Sequence, residues 1–156
     1  MKKKINIPLL IICILIPLAV GFLSAYIVGD NTFKYQNFNR PPLSPPGAIF
    51  PVVWTILYII MGISSYIILQ SDSKEKGFAL RLYAVNLFLN FFWSIIFFSY
   101  EMYFFAFIWL LILLFVVLWM VREFRKISPV AAALNIPYIL WLVFAAYLNF
   151  GVFILN

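Results

Sequence analysis

The 156-residue sequence contains no histidine and one cysteine, Cys13. Within a single chain these absences exclude a disulfide and any metal site built on imidazoles or paired thiolates. They also exclude histidine-based acid–base catalysis and histidine-ligated haem iron. Charge is nearly as scarce, at 10% of residues, and the eleven Lys and Arg and five Asp and Glu leave long apolar runs untouched. Ion-coupled pumps usually carry carboxylates or amines inside such runs. None is present here, since Glu101 falls in a short turn between two runs, and a proton or sodium pump is not expected.

What is present is apolar and aromatic. Hydrophobic residues make up 66% of the chain and aromatic residues 21%, with a mean hydropathy of +1.07. No water-soluble domain of this length hides so much apolar surface in one core. Crossing about 30 Å of hydrocarbon takes roughly 20 apolar residues in a helix. Five stretches qualify, at about 5–28, 48–70, 82–99, 102–121 and 128–154. Membrane barrels instead alternate apolar and polar residues over about ten positions, and these runs do not alternate. The expected fold is an all-α membrane protein, one five-helix transmembrane domain over 1–156. A cleaved signal peptide is the alternative for the first run, which is longer than the apolar region such peptides carry.

The cations report on orientation. Lys2, Lys3 and Lys4 precede the first span; Lys74, Lys76 and Arg81 fall between the second and third; Arg122, Arg125 and Lys126 fall between the fourth and fifth. Only Lys34 and Arg40 lie on the opposite side. The positive-inside bias therefore predicts a cytoplasmic amino terminus and an outward-facing first loop. The positive balance fits anionic lipid, with no nucleic-acid partner expected.

Three spans carry a mixed stripe at helical spacing: Trp54, Tyr58, Gly62 and Ser65; Asn86, Asn90 and Trp93; Tyr138, Trp141, Ala145 and Asn149. Two readings stay open. Amides and small residues in lipid often only hold helices together, and a lone tryptophan is often an interfacial anchor. Trp109 and Trp119 suit the anchor reading, while Trp54, Trp93 and Trp141 share their stripes with groups that should turn inward. Pro8, Pro17 and Pro137 are expected to kink their spans. Gly21 and Ala25, one turn apart, allow close backbone approach.

The first loop has prolines at 41, 42, 45 and 46, which stiffen it before Gly47. A stiff loop loses less entropy when it closes over a ligand. The run Pro45-Pro46-Gly47, Phe50-Pro51-Val52-Val53-Trp54-Thr55-Ile56-Leu57-Tyr58 and Met61-Gly62 resembles the pattern of the TspO/translocator protein family, the tryptophan-rich sensory proteins. Leu89-Asn90-Phe91-Phe92-Trp93-Ser94 with Phe97-Phe98 looks like that family's third-helix motif. Pro137-Tyr138 with Trp141, Phe144-Ala145 and Leu148-Asn149 looks like its fifth. The chain departs from the pattern at Lys34 and Leu43, where tryptophans are common in the family, and at Asn86, where many members have glutamine.

The resemblance implies a five-helix bundle, usually a homodimer, with a pocket under the first loop for porphyrins such as protoporphyrin IX. Membrane lipids are its other partners, and a bacterial cell membrane is the expected setting. By matching position the pocket is expected to use Tyr35, Pro45, Trp54, Tyr58, Asn86, Asn90, Trp93, Tyr138, Trp141 and Ala145. No cofactor is expected, and with no histidine, metal-free porphyrin is favoured over iron ligation. The aromatic residues suit stacking on a flat ligand, and Lys34 and Arg40 are the cations available to its carboxylates. Light-dependent porphyrin degradation, sterol or lipid binding and transport, and a purely structural role are the alternative functions.

Overall fold

Asn6 opens the first helix: its carboxamide oxygen accepts a hydrogen bond from the Leu9 amide at 3.1 Å. The computed structural model describes residues 5–156, so Lys2, Lys3 and Lys4, on which the predicted orientation partly rests, lie outside the described residues. Helix α1 spans Ile7–Val28. Pro8 sits in its first turn, where the missing amide donor has no carbonyl to serve, so the kink expected there is absent. Pro17 alone lies inside the helix and is buried. Gly29, at φ 53, ends α1 with its amide on the Ala25 carbonyl. The chain then tightens into a 3-10 helix over Gly29–Asn37.

Helix α2 (Ile49–Leu69) starts from turns in which Ile49 and Phe50 amides donate to the Pro46 and Gly47 carbonyls. Helix α3 (Lys76–Ser94) begins well before the apolar run at 82. The Lys76 ammonium explains this, because it donates to the Leu69 carbonyl at 3.2 Å and the Ser71 carbonyl at 2.9 Å, closing the end of α2. A π-helical turn, Ile95–Ser99, ends the span, with the Tyr100 amide reaching the Ile95 carbonyl. Helix α4 (Tyr103–Ile127) runs past the expected limit at 121, and Arg125 and Lys126 in its last turn complement the helix dipole.

The fifth span corrects the sequence reading most clearly. The span expected at 128–154 is present as Pro129–Leu155, but as two helices, α5 (Pro129–Ala133) and α6 (Ile136–Leu155), not one continuous helix. Pro137 lies in the first turn of α6; a continuous helix would press its ring against the Ala133 carbonyl, so the chain breaks instead of kinking. Fully buried Asn135 bridges the break, donating to Ser64 Oγ at 2.7 Å and to the Ala131 carbonyl at 2.9 Å. The molecule is thus an all-α membrane protein with five spans of membrane length.

Helix α4 is the hub of the packing. Leu110, Leu113, Val117, Met120 and Phe124 are fully buried along it, against α3 on one side and α6 on the other. Trp109, read from sequence as an anchor, instead donates its indole N–H to the Leu89 carbonyl at 2.7 Å and ties α4 to α3. Trp119 does lie on the exposed surface. Helix α1 is mostly exposed on the outer surface of the bundle and packs chiefly on α2. The Asn6 amide on the Tyr66 hydroxyl, at 2.8 Å, sets the start of α1 beside the end of α2.

The α1–α2 contact depends on glycine. A Cβ added at Gly62 would lie 2.5 Å from Ile14 Cα and 2.7 Å from the Cys13 carbonyl oxygen, both backbone atoms that cannot step aside. At Gly77 on α3 an added Cβ meets nothing. Gly62→Ala should therefore lower the unfolding temperature in detergent, at a cost of about 1–3 kcal/mol. Gly77→Ala should hold or raise it, by up to about 1 kcal/mol. Equal behaviour of the two variants would show that the helices are not in close contact.

Candidate functional site

Beneath Tyr35, between α1, α2, the end of α3 and α6, lies a cavity of about 580 Å³. Small residues create the space. Gly21, Ser24 and Ala25 line its α1 side and Ala145 its α6 side, so no large side chain fills the gap. Aromatic residues then wall it. Trp54 and Tyr58, one turn apart on α2, stack with ring centroids 5.6 Å apart, and Trp54 also meets Trp93 at 6.5 Å. The wider π-helical turn brings the consecutive residues Phe97 and Phe98 onto the same wall as Trp93, which stacks on Phe97 at 5.5 Å.

Behind this wall runs a buried polar relay. The Tyr58 hydroxyl donates to Asn90 Oδ1 at 3.3 Å, Asn90 Nδ2 donates to the Tyr138 hydroxyl at 2.9 Å, and that hydroxyl donates to Asn86 Oδ1 at 2.7 Å. A second link has the Trp93 indole donating to Asn149 Oδ1 at 3.1 Å, while Asn149 Nδ2 donates to the Tyr103 carbonyl at 2.8 Å. Each link joins different helices. Tyr58 is thereby fixed in orientation from behind the wall, and Trp93 by Asn149 at the cavity edge.

Of the ten residues named from sequence, the structure brings Tyr35, Trp54, Tyr58, Trp93 and Ala145 to the cavity surface. Asn86, Asn90 and Tyr138 lie one layer back, in the relay that supports Tyr58. Pro45 belongs to the roof, where its carbonyl accepts from the Tyr35 hydroxyl at 3.2 Å. Trp141 is placed elsewhere. It packs on Phe50 at 5.8 Å and lines a separate outer groove with Val53, Ile56 and Leu140. Four residues advance a helix by slightly more than one turn, so Trp141 is rotated about 40° from Ala145, away from Asn149. That small angle carries it past the cavity edge. Gly21, Ser24, Phe97 and Asn149 line the cavity without having been singled out for it. The Gly21–Ala25 pair and the stripe position of Asn149 were the available signals.

The roof is anchored at several points. Asn39 and Asn156 exchange hydrogen bonds of 3.0 and 2.9 Å, the Tyr147 hydroxyl donates to the Pro42 carbonyl at 2.7 Å, and Lys34 pairs with Glu101. Tyr35 meets Phe50 edge-on at 5.0 Å.

The relay makes a direct forecast. Tyr138→Phe strips Asn86 Oδ1 of its donor and Asn90 Nδ2 of its acceptor, and should destabilise the protein by about 1–3 kcal/mol in detergent unfolding. The Tyr83 hydroxyl, also buried, has no hydrogen-bond partner. Tyr83→Phe should therefore change stability by less than about 0.5 kcal/mol or improve it. A larger loss at Tyr83 than at Tyr138 would contradict the hydrogen-bond pattern.

Residues 13–155 match the TspO/MBR family. The tryptophan-rich protein TspO of Chlorobaculum tepidum is 36% identical over 151 residues, covering 94% of this chain and 95% of that protein. The translocator protein of Ovis aries is 39% identical over 140 residues, covering 87% and 83%. The tryptophan-rich sensory protein of Cereibacter sphaeroides is 31% identical over 122 residues, covering 78% and 76%. With a family match across almost its whole length and relatives of this similarity, the chain belongs to the TspO/MBR family of membrane proteins.

Proposed function

We propose that this protein is an integral membrane receptor or carrier that binds a hydrophobic, tetrapyrrole-like ligand such as protoporphyrin IX in the cavity under its first loop. The observation that carries this reading is the aromatic-walled space of about 580 Å³ inside the spans, within the usual range for small-molecule sites. A flat apolar ring system fits walls made of Trp54, Trp93 and Phe97, where each ring pair adds about 0.5–1.5 kcal/mol beyond burial. Because the relay already fixes Trp54's neighbour Tyr58 and the Trp93 indole, little side-chain freedom is lost on binding.

The charge distribution supports a cytoplasmic amino terminus and an outward loop: Lys74, Lys76, Arg81, Arg122, Arg125 and Lys126 gather at one end of the bundle, Lys34 and Arg40 at the other. A homodimer is the assembly the family resemblance suggests. A purely structural role leaves the cavity under Tyr35 without a purpose. An oxidative, light-driven conversion of the ligand would rely on the wall tryptophans as redox partners, and among the described residues no acid, base or nucleophile constellation lines the space.

Titration of the purified protein with protoporphyrin IX, followed by the porphyrin's absorbance, tests the reading. Trp54→Ala and Trp93→Ala should each weaken affinity by about tenfold. Trp141→Ala should change it by no more than about twofold. Wild-type affinity in both wall variants would reject porphyrin binding at this place.

A further inference from the structure

The cavity itself is poorly suited to charge. Among the described residues no Asp, Glu, Lys or Arg lines it. Five of its hydroxyls are already engaged: Ser24 donates to the Phe91 carbonyl at 2.9 Å, Thr32 to that of Gly29 at 3.1 Å, Thr55 to that of Pro51 at 2.7 Å, and Tyr35 and Tyr58 to Pro45 and Asn90. A ligand with two carboxylates is therefore best served at the roof, where Lys34 and Arg40 are the cations among the described residues. The Arg40 guanidinium rests over the Tyr35 ring, 5.1 Å from its centre, which leaves its edge open to one carboxylate. The Lys34 ammonium is already paired with the Glu101 carboxylate.

The position of that pair matters. Lys34 lies between Thr32 and Tyr35, both on the cavity wall, and Glu101 follows the π-helical turn whose Phe97 and Phe98 form the opposite wall. The pair thus bridges the rim. Glu101 also has φ 55, a left-handed backbone that residues with a side chain seldom adopt. A glycine would fit that turn without strain, so the backbone gives no reason for glutamate.

We propose that Glu101 acts as a built-in substitute for a ligand carboxylate. By occupying Lys34 it biases the cavity against dianionic ligands and toward singly charged or esterified ones of the same shape. This specificity role rests on the tetrapyrrole reading of the cavity. A second ligand carboxylate reaches Lys34 only by displacing Glu101, which then stands beside it as a like charge. The two side chains are 39% and 48% exposed, so the bias is modest and salt-sensitive.

The test compares protoporphyrin IX with its dimethyl ester on purified full-length protein in detergent at low salt. Glu101→Gln and Glu101→Gly should both raise affinity for the diacid by about two- to fivefold and leave the ester unchanged. Gly also relieves the positive φ, so agreement between the two variants removes a backbone explanation. The gain should vanish in the Lys34→Met/Glu101→Gln double variant and at about 1 M salt. An unchanged diacid-to-ester ratio in Glu101→Gln overturns the role of Glu101 while porphyrin binding stands. Failure of both porphyrins to bind any form overturns the proposed function and this inference together.

Discussion

Inside hydrocarbon, a carboxamide that loses its partner has no water to replace it. Asn90 sits 2% exposed in the middle of the bundle, so its oxygen and its nitrogen must both be satisfied by neighbouring helices. The oxygen takes the Tyr58 hydroxyl from α2 and the nitrogen reaches Tyr138 on α6. This requirement fixes how far apart α2, α3 and α6 stand and how each is rotated. The cavity wall is a consequence: with Tyr58 pinned from behind, Trp54 stacks on it, and Trp93 is held in turn by Asn149. In lipid such bonds contribute about 0.6–2 kcal/mol each. Their larger effect is to select one arrangement, in which both polar atoms of the Asn90 carboxamide are satisfied.

Helix α1 completes the site by a different physics. Its outward surface is almost uniformly apolar, so nothing in lipid pushes it inward, and its seat depends on shape. Gly62 admits the α1 backbone against α2, and Gly21 admits the Tyr58 ring, whose Cε2 lies 2.3 Å from where a Cβ would be. Between those contacts and the anchored loop, Gly21, Ser24 and Ala25 present no bulk. The space left over is the cavity. The same small side chains that let helices touch below therefore leave a hollow above, which is why a packing motif and a cavity wall share residues.

Much of this was legible in the sequence because hydrocarbon imposes simple rules. Apolar runs located five spans, and mixed stripes on the second, third and fifth identified the inward faces. The helix ends were less legible, since hydropathy senses where hydrocarbon stops and helices need not stop there: α4 carries Arg122 to Lys126 onward into the interface. The break at Leu134–Asn135 escaped because α5 is as apolar as the helix after it, and only the Pro137 ring announced it. Trp141 and Trp109 show the limit of stripe arguments. A rotation of about 40° decides whether a ring faces a cavity or a groove, and whether an indole finds a carbonyl on the next helix depends on axial offset, which spacing within one helix does not encode.

The roof extends the same logic to the water side. Leu43 is 84% exposed and has φ 67, so the Pro41–Ser44 turn gains no packing from it. The turn is held instead by Ser44, whose hydroxyl donates to the Pro41 carbonyl at 2.7 Å, and by Tyr147 and Asn156 reaching from α6 to Pro42 and Asn39. Hydrogen bonds from the end of α6 thus replace the aromatic surface that a tryptophan at 43 would supply. A lid tied by directional bonds to a rigid helix loses little entropy on closing. What it lacks is ring area over the cavity, and that deficit leaves Tyr35, clamped between Pro45, Phe50 and Arg40, as the aromatic face the roof turns toward it.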